Sequence, residues 1–205
     1  MKLYRLLAFL LCFAFGVSFA AQTPDPMKTL NSVADRMLAS LKRNRPRLKR
    51  NPRLIYRLVE KILLPHVDTR GMSRSALGRN AWKSASSAQR RAFTREFTDV
   101  VIGTYASALN AYKDERIEFY PIRGGYQGKR RVFVRSKIIR SDGPPIPLSY
   151  RLILMGGRWK VYDLNVEGVG LLQSFRAQFA DELSQGKSVT QITSELRQRN
   201  REQQQ

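Results

Sequence analysis

Residues 159–179 read WKVYDLNVEGVGLLQSFRAQF, and this stretch decides how the chain is to be folded. Trp159, Val161 and Asp163 alternate with Lys160, Tyr162 and Leu164, which is the period of two of a strand. Past Gly168 and Gly170, apolar residues fall at Leu171, Leu172, Phe175 and Phe179, which is helical spacing. The pattern predicts a strand that turns through two glycines directly into an amphipathic helix. The run contains no nucleophile–base pair and no metal-ligand cluster, so it reads as a wall and not as a reaction centre.

Upstream, residues 116–122, 131–139, 148–155 and 158–166 read as four strands. Gly124-Gly125, Asp142-Gly143-Pro144-Pro145 and Gly156-Gly157 separate them, which predicts antiparallel neighbours. Helices come before. Asp25-Pro26 is a helix start, with Leu30, Val33, Met37 and Leu41 on one stripe, and the basic residues 43–50 read as a break. Asn51-Pro52 starts a second helix, with Leu54, Leu58 and Ile62 beside Ile55, Val59 and Leu63, ending at Leu64-Pro65. Residues 66–79 read as a connection with one helical turn at 73–77. Ser86 and Gln89 form a capping box that opens the longest helix, whose face runs from Phe93 to Tyr112. Gly103 inside it costs about 1 kcal/mol against Ala, as a site of close approach or as a tolerated residue. A helix from Leu171 stops at Gly186, and Ser188 with Gln191 caps a short stripe of Val189, Ile192 and Leu196. Helices, then a meander of strands, then helices predict an α+β fold: a curved four-stranded antiparallel sheet packed with helices around an apolar pocket.

Residues 1–20 read as a signal peptide. Lys2 and Arg5 precede an apolar run, and Ser18-Phe19-Ala20 places cleavage before Ala21. Cys12 is the single cysteine, so the exported chain would hold together by its core alone. Residues 21–196 then form one domain, followed by a polar, frayed tail at 197–205. Lys plus Arg number 37 against 16 acids; removing Lys2 and Arg5 leaves 35, a net charge of +19. Such a field draws polyanions. The cations are scattered, densest at 42–53, without an RNA-binding aromatic signature, and an exported chain meets little nucleic acid, so no nucleic-acid partner is expected.

Reactive chemistry is scarce. His66 is the only histidine, in a Pro-flanked loop, so no zinc site of usual ligand type can form and a Ser-His-Asp triad could only use His66. No Gly-x-Ser-x-Gly elbow exists. Asp114-Glu115 and Asp181-Glu182 are adjacent pairs, not carboxylates converging from separate elements. Gly124-Gly125 and Gly168-x-Gly170 lack the pattern of a phosphate loop. The one enzymatic alternative is a ketosteroid-isomerase-like fold with Asp163 as general base. No cofactor and no metal are expected.

Several stretches together resemble a known family: Leu63-Leu64-Pro65-His66-Val67-Asp68; Leu77-Gly78 with Trp82, Ala85 and Gln89-Arg90; Phe93, Phe97 and Tyr105; Tyr150-Arg151-Leu152; and Trp159-Lys160-Val161-Tyr162-Asp163 with Glu167-Gly168-Val169, Arg176 and Phe179. Their order and spacing are similar to the MlaC, or toluene-tolerance, family of periplasmic phospholipid-binding proteins, over residues 26–196. The family pattern has Ser where Gly170 stands here; both cap helices. The resemblance implies a non-enzymatic periplasmic carrier with phospholipid as its cargo. Its implied partners are an outer-membrane lipoprotein–porin complex and an inner-membrane ABC transporter with a lipid-binding ring, and its implied role is to maintain outer-membrane lipid asymmetry. Acyl chains would lie between sheet and helices. The expected walls are Leu63, Phe93, Phe97, Val101, Tyr105, Leu171 and Phe175 from helices, and Val134, Tyr150, Leu152, Leu154, Trp159 and Val161 from the sheet. Tyr150 and Arg151, near a strand start, would meet a phosphate or the mouth. Which strand face meets the lipid is not readable from the sequence.

Overall fold

The computed structural model describes residues 23–203. The expected signal peptide, its cleavage point and Cys12 lie outside the described residues. Helix α1 spans Pro26–Arg50, and the Asp25 carboxylate caps it by accepting from the Met27 amide at 2.8 Å. The basic segment does not break it: Pro46 sits inside a continuous helix. An interior proline costs about 3 kcal/mol. The turns on either side bury Leu41 and Leu48 in one core with Leu54, Ile55, Val59 and Ile102, and that burial offsets the cost. Arg47, Lys49 and Arg50 also complement the negative end of the helix dipole.

Helix α2 spans Leu54–Ile62 and passes into a 3-10 turn at Leu64–His66 with Pro65 in its first turn. The expected connection is more helical than its sequence suggests. Asp68 accepts from the Gly71 amide at 2.9 Å and opens α3, Thr69–Leu77. Gly78, at φ +86°, bends the chain into α4, Arg79–Ser84. Helix α5, Ser87–Asn110, carries the expected capping box: the Gln89 amide donates to Ser86 Oγ at 3.1 Å, and the Ser86 amide to Gln89 Oε1 at 2.8 Å.

The strands are β1 Arg116–Phe119, β2 Arg131–Ile139, β3 Ile146–Met155, β4 Arg158–Val166 and β5 Val169–Gly170. They form one antiparallel sheet in sequence order, five strands and not four. The extra strand comes from the expected turn: Glu167-Gly168 folds Val169 back onto Val166 before the helix begins. Helix α6, Leu171–Ser184, follows at once. Helix α7, Val189–Gln203, includes most of the residues read as a frayed tail. Asn200 anchors that segment, because its side chain is buried against Glu96 of α5 and donates to the Glu96 carbonyl at 3.0 Å. At Gly103 no backbone comes close: the atoms that a Cβ would meet are the ends of the Gln203 and Tyr56 side chains.

The alternation read in β4 holds only for its first half. Leu152 pairs with Val161, but Arg151 pairs with Asp163, so Tyr162 is an extra residue in a bulge. The bulge slips the phase by one. Leu164 therefore joins the face of Trp159 and Val161, and Asp163 moves to the other face with Arg151.

Candidate functional site

The buried face of the sheet, called inner here, carries Val132, Val134, Ser136, Leu152 and Trp159. The start of α1 closes one end: Leu30 packs there, and Trp159 Nε1 donates to the Pro24 carbonyl at 2.7 Å. The helices form two further cores. One joins α1, α2 and α5; the other joins α3 to α7 through Phe93, Phe97, Phe175 and Phe179. In the second, Phe97 and Phe175 meet edge-on at 5.0 Å and Phe93 and Phe179 at 5.4 Å.

These three cores remain separate. Where they approach one another, apolar residues are only half-buried. From the sheet these are Ile138, Leu148, Tyr150, Leu154, Val161, Leu164 and Val166; from the helical side, Leu63, Leu64, Val67, Val101 and Tyr105. Leu164 and Val67 link β4 to the α3–α7 core, and the Asp68 amide donates to the Val161 carbonyl at 2.8 Å, tying that corner together. An inward apolar face whose residues the protein leaves only half-buried is a surface able to hold a flexible apolar ligand.

The expected wall residues fall into three groups. Val134, Leu152 and Trp159 are buried on the inner face, with Tyr150, Leu154 and Val161 half-buried beside them. Phe93, Phe97, Leu171 and Phe175 are core residues locked against one another, and Val101 and Tyr105 sit at the margin of that core. Leu63 packs against the α1–α2–α5 core. Arg151 is corrected: it lies on the outer face, 3.6 Å from the Asp163 carboxylate, because it stands one residue from Tyr150 in a strand. Both are also central in β3, which begins at Ile146, and not near a strand start. Tyr150 alone faces inward. Its hydroxyl lies 3.2 Å from Ser136 Oγ, and burial pushes its phenol up. Leu148, Leu164 and Val166 complete the inner face and were missed. Period two from Leu152 finds Leu148, whereas the bulge hides Leu164 and Val166.

Asp163 is unsuited to the role of base. One carboxylate oxygen accepts from the Leu164 amide at 2.9 Å, the other faces Arg151, and the whole group lies on the outer face. His66 sits half-buried in the 3-10 turn; burial, then Lys160, Arg36 and Arg158, push its imidazole down. No cluster of metal-ligating side chains exists among the described residues.

A groove of ≈ 780 Å³ lies elsewhere, among α2 to α5, and none of the expected wall residues lines it. Arg70, Arg91, Arg95, Glu60 and Asp99 bring charge into a lining that also includes Leu64, Trp82 and Ile102. Arg90 is pinned in it by the carbonyls of Trp82 at 2.7 Å and Lys83 at 2.8 Å.

Comparison with known proteins agrees with this geometry. The chain is 32% identical over 165 residues to a toluene tolerance protein, ttg2D, of Pseudomonas putida, covering 80% of this chain and 75% of that one. It is 27% identical over 175 residues to the intermembrane phospholipid transport system binding protein MlaC of Haemophilus influenzae, covering 84% and 81%. The fold superposes with a TM-score of 0.82 on a phospholipid-binding protein from Ralstonia solanacearum solved in complex with a phospholipid, at 30% identity, covering 89% of this chain and 100% of the other. Residues 31–198 match the MlaC protein family, and with the half-covered apolar face between sheet and helices this shows that the chain belongs to the MlaC family.

Proposed function

We propose that this chain is a non-enzymatic phospholipid carrier whose acyl chains lie between the inner face of the sheet and the helices. The observation that carries the reading is the likeness, over 89% of the chain, to a protein solved with a phospholipid bound. The inner face supports it: Leu148, Tyr150, Val161, Leu164 and Val166 are apolar, inward and incompletely covered by protein. Each methylene removed from water is worth about 0.8 kcal/mol, so two long tails cannot cross water unshielded at useful rates. A carrier needs apolar walls and no reactive group. The engagement of Asp163 with the Leu164 amide and Arg151 supports this reading over the enzymatic alternative.

The finer proposal is a periplasmic shuttle. It would exchange glycerophospholipid between an outer-membrane lipoprotein–porin complex and an inner-membrane ABC transporter with a lipid-binding ring, and so maintain outer-membrane lipid asymmetry. The relative named for an intermembrane phospholipid transport system supports this role. The expected export signal supports the compartment, and a head group left wet at the mouth would be read with little selectivity.

The test is native mass spectrometry of protein purified without detergent. The expected result is a main species heavier than the chain by the mass of one or more phospholipids. A lipid-free species that also takes up no lipid from vesicles would refute the carrier.

A further inference from the structure

The outer face of the sheet carries a feature that the carrier reading does not use. Phe133 points away from the cores and is 52% exposed, an unusual position for a phenylalanine. On the same face of β2 its neighbours two residues away are Arg131 and Arg135, and across β3 it pairs with Arg151. One exposed ring is thus set among three arginines. Met155, 43% exposed, extends the patch toward Arg158, its partner in β4.

The charges around it are lopsided. The carboxylates of this face, Glu118 and Asp163, are already taken by Lys137 at 2.9 Å and Arg151 at 3.6 Å. Arg131 and Arg135 pair with no carboxylate among the described residues; they stand over the rings of Tyr162 at 6.0 Å and Tyr120 at 5.6 Å. Ring contacts leave the charge of both guanidinium groups unneutralised on this face.

We propose that this outer face docks the chain on the surface of an anionic phospholipid bilayer. Arg131, Arg135 and Arg151 would meet lipid phosphates, and Phe133 and Met155 would enter the headgroup boundary. Arginines can lay their methylene stems along apolar surface while their heads reach phosphate, and a flat face with protruding apolar tips suits a fluid interface. A protein partner would favour a pocket that seats an anchoring side chain. The groove of ≈ 780 Å³ and a second of ≈ 590 Å³, among Asn80, Ala85, Leu183 and Val189, are lined by residues of the helices and their connections and by none of the sheet. This site is on the opposite side of the sheet from the acyl-chain wall, so its failure leaves the carrier reading untouched.

The experiment is sedimentation of the purified chain with vesicles of phosphatidylethanolamine and phosphatidylglycerol, against vesicles of phosphatidylcholine alone. Binding should occur with the first at low salt, fade at high salt, and be absent with the second. The Arg131→Glu/Arg135→Glu double variant should bind on the order of a hundredfold more weakly, and Phe133→Ser roughly tenfold. Both should keep their co-purified lipid, since neither touches the inner face. Phe133→Trp should shift its emission to the blue on anionic vesicles, over the small background from Trp82 and Trp159, which are buried already. The proposal is overturned if the double variant binds like the unchanged chain. It is equally overturned if the Phe133→Trp emission stays fixed while the protein sediments, or if anionic vesicles are ignored at low salt. An acidic protein surface would then be the better occupant.

Discussion

Cutting the bond between Asn200 and Glu96 tests whether the last turns of α7 belong to the fold. Asn200 is 5% exposed, and its Nδ2 donates to the Glu96 carbonyl at 3.0 Å and to Glu96 Oε2 at 3.2 Å. A neutral hydrogen bond contributes about 1 kcal/mol and one to a charged group about 1.5–3 kcal/mol. The Asn200 Oδ1 is buried without a partner among the described residues, and removing it returns about 1 kcal/mol. Asn200→Ala should therefore cost about 2 kcal/mol, which for a domain of this size lowers the melting midpoint by roughly 4–8 °C. Deleting residues 197–205 also removes Arg197, 3.1 Å from Glu96. Because Arg197 is half-exposed, that adds less than about 1 kcal/mol. The buried Glu96 carboxylate then keeps only Arg95, which is itself mostly exposed. The assay is urea unfolding followed by circular dichroism, with Gln198→Ala as a control, since Gln198 bonds to Glu202 at the surface. Lipid retention is measured alongside, because α7 backs the α5 helix that carries Phe93 and Phe97. If Asn200→Ala and the shortened chain unfold at the same denaturant concentration as the unchanged protein, the terminal turns are the frayed tail that the sequence suggests, and the reasoning fails.

Three further outcomes are expected. Leu148→Asp, on the inner face, should abolish co-purification of phospholipid, whereas Phe133→Asp, on the outer face, should leave it intact; lipid-to-protein ratios after organic extraction would decide, and equal losses would mean that the two faces are misassigned. Tyr150→Phe should cost about 1 kcal/mol by leaving the buried Ser136 hydroxyl without its partner, and adding Ser136→Ala should recover most of it in thermal melts. Burial, then Glu96 and Glu60, raise the Asp99 carboxyl above its ordinary 3.8 against a smaller opposing effect of Arg95. A raised carboxyl binds its proton more tightly when folded, so its penalty is complete above the folded value and vanishes below 3.8. Asp99→Asn should thus stabilise at neutral pH and lose its advantage as the medium is acidified, and a pH-independent difference would contradict the sign.

Much of the fold was legible because it is encoded by near neighbours. The capping boxes at Ser86–Gln89 and Ser188–Gln191 and the Asp25 cap each need contacts only two or three residues apart, and all three are present. Strands β2 and β4 keep their expected bounds. The basic run 43–50 misled because burial of Leu41 and Leu48 against α2 and α5, partners up to about sixty residues away, carries the helix through it and through Pro46. Asn200 misled because a polar residue in a polar segment gives no sign of a buried partner in α5.

By itself the sequence determined the α+β class, the strand–turn–helix of residues 159–179 and the family, since periodicity, caps and motif spacing are written along the chain. The tertiary structure alone decided which face of the sheet turns inward. Strand periodicity defines two faces without ranking them, and the bulge at Tyr162 exchanges them halfway along β4. Cross-strand register therefore sends Leu164 to the cores and pairs Asp163 with Arg151 on the far side, and no local pattern contains that register.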